Sequence, residues 1–161
     1  MTGGAAGVHD PVARFAVTAE HYCAWAEHAP KSADGEVETA IRLLLDLMTR
    51  VIELPASDPD DEDDERPTHA EWNAVFRRFA TLPFQYYATS DPWDMEDKSV
   101  GVGDLHDDLA DVWRDVRHGL NAYKAGRIDS ASWQWSFSFR SHWGEHATEA
   151  LRVLVAALHA K

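Results

Sequence analysis

Cysteine is nearly absent: the chain of 161 residues has one, Cys23. A lone thiol excludes an internal disulfide and fits a reducing compartment. Basic residues are scarce as well. Fifteen Lys and Arg stand against 28 Asp and Glu, a formal charge of −13, and that balance excludes the basic footprint a phosphate backbone demands. No nucleic acid is expected as a partner, and an anionic membrane surface is excluded on the same ground. No apolar run approaches the roughly 20 residues of a membrane span. The start, Met1 to Asp10, has neither the basic nor the continuous apolar region of a signal peptide. The expected location is cytoplasmic.

What is present is apolar and aromatic. Hydrophobic residues make up 45% of the chain and seven of them are Trp, enough to bury one core in one domain. The negative charge is concentrated, with seven carboxylates between Asp58 and Glu65. Charges this dense repel one another and stay solvated, so residues 56–66 read as a mobile acidic loop.

Helical signals occupy most of the remainder. Asp10 and Pro11 suit the cap and first position of a helix whose apolar stripe is Val12, Phe15, Ala19, Tyr22 and Ala26. A second helix is expected from about Asp34 to Leu54, stopped by Pro55. Thr68 and Glu71 form a capping box ahead of Trp72, Val75, Phe76 and Phe79. Residues 83–102 show no period and read as a long aromatic loop of the kind that carries function. Asp104 caps a fourth helix that reaches about Lys124 and stops at Gly126.

The last helix, from Asp129 or Ser130 to about His159, has a competitor. Trp133, Trp135, Phe137 and Phe139 alternate with small polar residues, as in a half-buried strand. No partner strand is evident, and the pattern after Trp143 is helical, so a helix buried on most sides is the reading. The fold class is therefore all-α: a single-domain bundle of about five helices with a long C-terminal helix.

Two segments carry a resemblance. Asp107–Asp115 with Gly119–Gly126, and the tryptophan-rich run Trp133-x-Trp-x-Phe-x-Phe-x-x-His142-Trp-Gly-x-His146, resemble the bacterial family known as domain of unknown function 5063. Tyr22-Cys23 fits it too. The resemblance spans nearly the whole chain and implies a small cytosolic helical domain. It implies no activity.

Two readings of function follow. In the first, the protein is a non-catalytic interaction or regulatory module that needs no cofactor. It binds another protein through Trp93 in the aromatic loop and Trp135 on the polar side of the last helix, with self-association left open. In the second it is a metal-dependent hydrolase. His142, Glu145, His146 and Glu149 fall at helical spacing on one face, and His-x-x-Glu-His matches an inverted zinc-peptidase pattern. His142 and His146 would hold a divalent metal ion and Glu145 would act as base. A further ligand would come from the carboxylate stripe Asp104, Asp108, Asp111 and Asp115, with Asp108 and Asp111 as the candidates. The plain alternatives are a solvated acidic face with local Arg pairs, and a Cys23 that serves as a small buried hydrophobe.

Overall fold

Asp10 caps the first helix as its position predicts, accepting a hydrogen bond from the Val12 amide at 3.0 Å. The computed structural model describes residues 10–62 and 65–160. The signal-peptide reading of residues 1–9, and Asp63 and Asp64 of the acidic tract, lie outside the described residues. The elements are α1 (Pro11–Glu27), α2 (Glu36–Val51), α3 (His69–Arg78), a short 3-10 turn, strands β1 (Tyr86–Thr89) and β2 (Gly101–Asp104), and α4 (Leu105–Lys124). Then come α5 (Ile128–Ser138), a π-helical turn (Phe139–Trp143) and α6 (Gly144–His159). The last three run on as one C-terminal helix of 32 residues. The described residues thus form a mostly helical bundle of five helices. No described helix is long and apolar enough to cross a membrane.

The capping box at Thr68 and Glu71 closes reciprocally, and Asp104 accepts from the amides of His106 and Asp107. Gly126 ends α4 at a positive φ of 82°. One expectation is corrected: the stretch read as an irregular loop contains a two-stranded antiparallel hairpin, with Tyr87 opposite Gly103. Its four-residue strands are too short to show a period. The described part of the acidic segment has no helix or strand, and Arg127 ties it down. The Arg127 guanidinium bonds the Asp60 carboxylate and the Glu62 carbonyl, and Ser130 accepts from the Asp60 amide.

Helix α4 is central, packing on α1, α3, α5 and α6. Tyr22 of α1 donates to the Leu109 carbonyl at 2.8 Å, and Phe15 packs on Trp135 with ring centroids 4.6 Å apart. Cys23 is fully buried among these residues, which pushes its thiol up to about 12.

The alternating aromatics belong to a helix, because alternation also contains spacings of four. Trp133 stacks on Phe137 at 4.7 Å, and Phe139 meets Trp143 edge-on at 4.8 Å. The placement of Trp135 as an exposed anchor is overturned. It is 0% exposed, and its indole donates to the Val116 carbonyl at 3.0 Å. The cause is the π turn, in which the Gly144 amide reaches back to the Phe139 carbonyl. Positions eight apart on an unbroken helix lie about 80° apart. The extra residue returns Trp135 and Trp143 to one buried face and turns Phe137 out, 53% exposed.

Trp135 fits against α4 only because position 119 is glycine: a Cβ there would stand 2.3 Å from the indole nitrogen. Helix propensity alone predicts that Gly119→Ala gains about 1 kcal/mol. The close approach predicts the reverse, a loss of about 1–3 kcal/mol in urea unfolding. A stabilised variant would contradict this packing.

Candidate metal centre

Asp108, Asp111 and Asp115 lie three and four residues apart on α4, so their carboxylates share one face. That face meets the end of the π turn and the start of α6, where His142 and His146 sit with ring centroids 4.7 Å apart. The sequence-predicted pair and the predicted helix-four carboxylates therefore do come together.

The pairing is ordered. His142 Nδ1 lies 2.6 Å from Asp115 Oδ2, and His146 Nδ1 lies 2.7 Å from Asp108 Oδ1. Both Nε2 atoms turn instead toward Asp111 Oδ2, at 3.5 Å from His142 and 3.4 Å from His146. The other oxygen of Asp111 is already engaged, accepting from Trp72 Nε1 at 2.8 Å and from Arg114 Nη2 at 2.8 Å. Asp111 thus presents one oxygen, and each imidazole one nitrogen, to a common point.

These separations have a chemical meaning. Contacts of 3.4 and 3.5 Å are too long for good hydrogen bonds. Ligand atoms held tetrahedrally at metal bonds near 2.0–2.1 Å stand about 3.3–3.4 Å apart. The three ligand atoms all fall within 4.8 Å of one another. A second group, Asp107, Asp108 and His146, also closes to that range. It is the poorer candidate, because both Asp108 oxygens are taken, one by His146 and one by the Tyr87 hydroxyl. Asp108, expected as a ligand, is better placed to orient His146, as Asp115 is to orient His142. Metal-bound histidines are commonly oriented by a carboxylate in this way.

Electrostatics follows from burial. The hydrogen bond that Asp108 accepts holds the His146 imidazole above its ordinary range, against the opposing effect of burial. Burial raises Asp115 despite its bond to His142, and burial raises Asp107 with help from the Asp111 charge. Burial, with the bond to Asp108, lifts Tyr87 far above the usual tyrosine range, so it remains a donor. The side chain of His142 is 39% exposed. A groove of about 420 Å³ adjoins it, lined by Arg114, Asp115, Trp133, Phe137 and His142 among others.

The remaining predicted residues lie elsewhere. Glu145 is exposed and belongs to neither ligand group. It lines a different hollow, beside Trp93, Phe139 and Thr148. Glu149 pairs with Arg152 at 3.0 Å. Trp93 is exposed as expected, at 91%. Sequence reasoning missed Trp72, Tyr87 and Arg114 as parts of the site. Of these only Arg114 had a local signal, its spacing of three from Asp111.

The family described as Domain of unknown function (DUF5063) matches residues 7–160. The fold is similar to the crystal structure of protein BF1032 from Bacteroides fragilis, a structural-genomics target. The TM-score is 0.80 at 19% identity, covering 95% of each chain. At that identity the likeness speaks for the fold alone. None of the curated proteins matches.

The raised His146 has a consequence for stability. A group whose folded pKa exceeds its unfolded value stabilises fully below the unfolded value, about 6.5 for imidazole. That contribution is lost as pH rises through the raised folded value. Metal-free protein should therefore lose unfolding free energy from about pH 6.5 upward, and His146→Gln should flatten the profile. Parallel profiles for both proteins would contradict the ion pair with Asp108.

Proposed function

The chain belongs to the family described as Domain of unknown function (DUF5063), which brings no activity with it, and from the geometry of its own residues we propose a metal-dependent hydrolase. The observation that carries this is the convergence of His142 Nε2 and His146 Nε2 on Asp111 Oδ2, with each Nδ1 held by its own carboxylate. Two imidazoles and one carboxylate are the donor set of hydrolytic zinc sites, which keep a further position for water. A metal held so lowers the pKa of that water toward neutrality.

The protein's own part is to fix the ligands and move a proton. Asp115 and Asp108 each hold an imidazole at Nδ1, which turns both Nε2 atoms inward as candidate ligand atoms. Trp72 and Arg114 hold Asp111 so that one oxygen remains free. Glu145, first considered as the base, lines a different hollow. Asp107 is the better candidate, since it lies in the ligand group with Asp108 and His146 and burial raises its pKa. Arg114, which pairs with Asp111 and lines the groove beside His142, would meet an anionic oxygen of a substrate.

A second reading, a protein-interaction module, is favoured by one surface. The hairpin tip exposes Trp93 at 91% and Met95 at 89% among Asp91, Asp94, Glu96 and Asp97. An acidic rim around apolar anchors suits a basic segment with an apolar side chain.

Each reading has its own test. Tag-free protein should carry close to one equivalent of zinc, manganese or iron by mass spectrometry. His142→Ala/His146→Ala should carry none and lose any hydrolytic activity found against ester, amide and phosphoester panels. A metal-free wild type that also fails to take up added zinc would end the hydrolase reading. In the second reading a lysine-rich, leucine-bearing peptide binds at low salt, and Trp93→Ala abolishes the binding without altering the fold. Equal binding by both proteins would remove Trp93 as an anchor.

A further inference from the structure

The hydrogen-bond pattern around Asp108 extends beyond the ligands. Asp108 is 6% exposed, and each of its oxygens has one donor: His146 Nδ1 on Oδ1 and the Tyr87 hydroxyl on Oδ2. A carboxylate held at one oxygen can still swing about its side-chain torsions. Held at both, it has a fixed plane, and an imidazole bonded to it has a fixed orientation and tautomer.

Tyr87 is brought to this position by several independent features. In the hairpin register it lies opposite Gly103, and a Cβ at that position would stand 2.2 Å from Tyr87 Cζ. The ring crosses β2 only because that side chain is missing. Arg152 covers its outer side, with its guanidinium carbon 5.7 Å from the ring centre, and donates to the Ala88 carbonyl at 2.9 Å. The backbone of β1 is thereby tied to α6, the helix that carries His146.

We propose that Tyr87 is a positioning residue of the metal centre: its hydroxyl fixes Asp108, and through Asp108 presents His146 Nε2 to the ion. This rests on the metal reading above. The hairpin is then a part of the site. A displacement of β1 reaches His146 through two hydrogen bonds, and the strand that carries Tyr87 leads directly into the segment bearing Trp93.

Two variants test this from opposite directions. Tyr87→Phe keeps the ring and removes the hydroxyl. Gly103→Ala keeps the hydroxyl and displaces the ring. Both are compared with wild type by zinc titration against a chromophoric chelator, and by ring-nitrogen NMR of His146 in metal-free protein at pH 8.5, with circular dichroism to establish folding. The expected result is a loss of about 10–100-fold in zinc affinity for both variants. The Nδ1–H tautomer of His146 becomes a mixture while that of His142 is unchanged. Folded variants with wild-type affinity and an unaltered His146 tautomer would overturn the proposal. A wild type that takes no zinc, yet whose His146 tautomer responds in both variants, would end the metal reading and leave the positioning role standing.

Discussion

Three carboxylates on one face of a central helix have to be neutralised, and much of the molecule around α4 answers to that need. Asp108 and Asp111 are buried and Asp115 is largely so, while Arg114 supplies one positive charge to the group. Carboxylates withdrawn from water persist only when paired or bound to an ion. The C-terminal helix brings two imidazoles to the cluster, α3 brings the Trp72 indole, and the hairpin brings the Tyr87 hydroxyl. Elements distant in sequence thus meet at one patch of α4. In the proposed metal centre, a divalent cation between the two Nε2 atoms and Asp111 would balance the excess negative charge without requiring either imidazole to be protonated.

The arrangement also explains two irregularities of the backbone. The π turn returns Trp135 and Trp143 to one buried face while His142 and His146 remain along the carboxylate row. A regular helix would put one of the two indoles out of phase with the core. Gly119 and Gly103 serve the same end by different routes. One lets an indole lie on the backbone of α4, and the other lets a phenol cross a strand. In both places a missing side chain makes room for a polar aromatic whose donor then finds a specific acceptor.

Much of this was legible from residue order. The caps at Asp10, Thr68 and Asp104 and the stop at Gly126 depend on local chemistry, which spacing reports well. The meeting of His142 and His146 with the aspartates of α4 was one of two readings open in the sequence, since both sets have helical spacing and one face each. Their division of labour was not legible. Which aspartate meets Nδ1 and which meets Nε2 depends on the phase of two helices, and one inserted residue in the π turn changes that phase. The same insertion misdirected the reading of Trp135. Tyr87 was out of reach for a different reason: its role requires a hairpin of two four-residue strands, and its partner lies 21 positions away.

The most direct measurement is an anomalous difference map, collected above and below the zinc absorption edge, from crystals grown with zinc. One strong peak is expected about 2.0–2.2 Å from His142 Nε2, His146 Nε2 and Asp111 Oδ2, with the Nδ1 bonds to Asp115 and Asp108 unbroken. A map without a peak there, in which Asp111 instead bonds two protonated imidazoles directly, would contradict it and leave the cluster as an ion-pair network that holds α4 to the C-terminal helix.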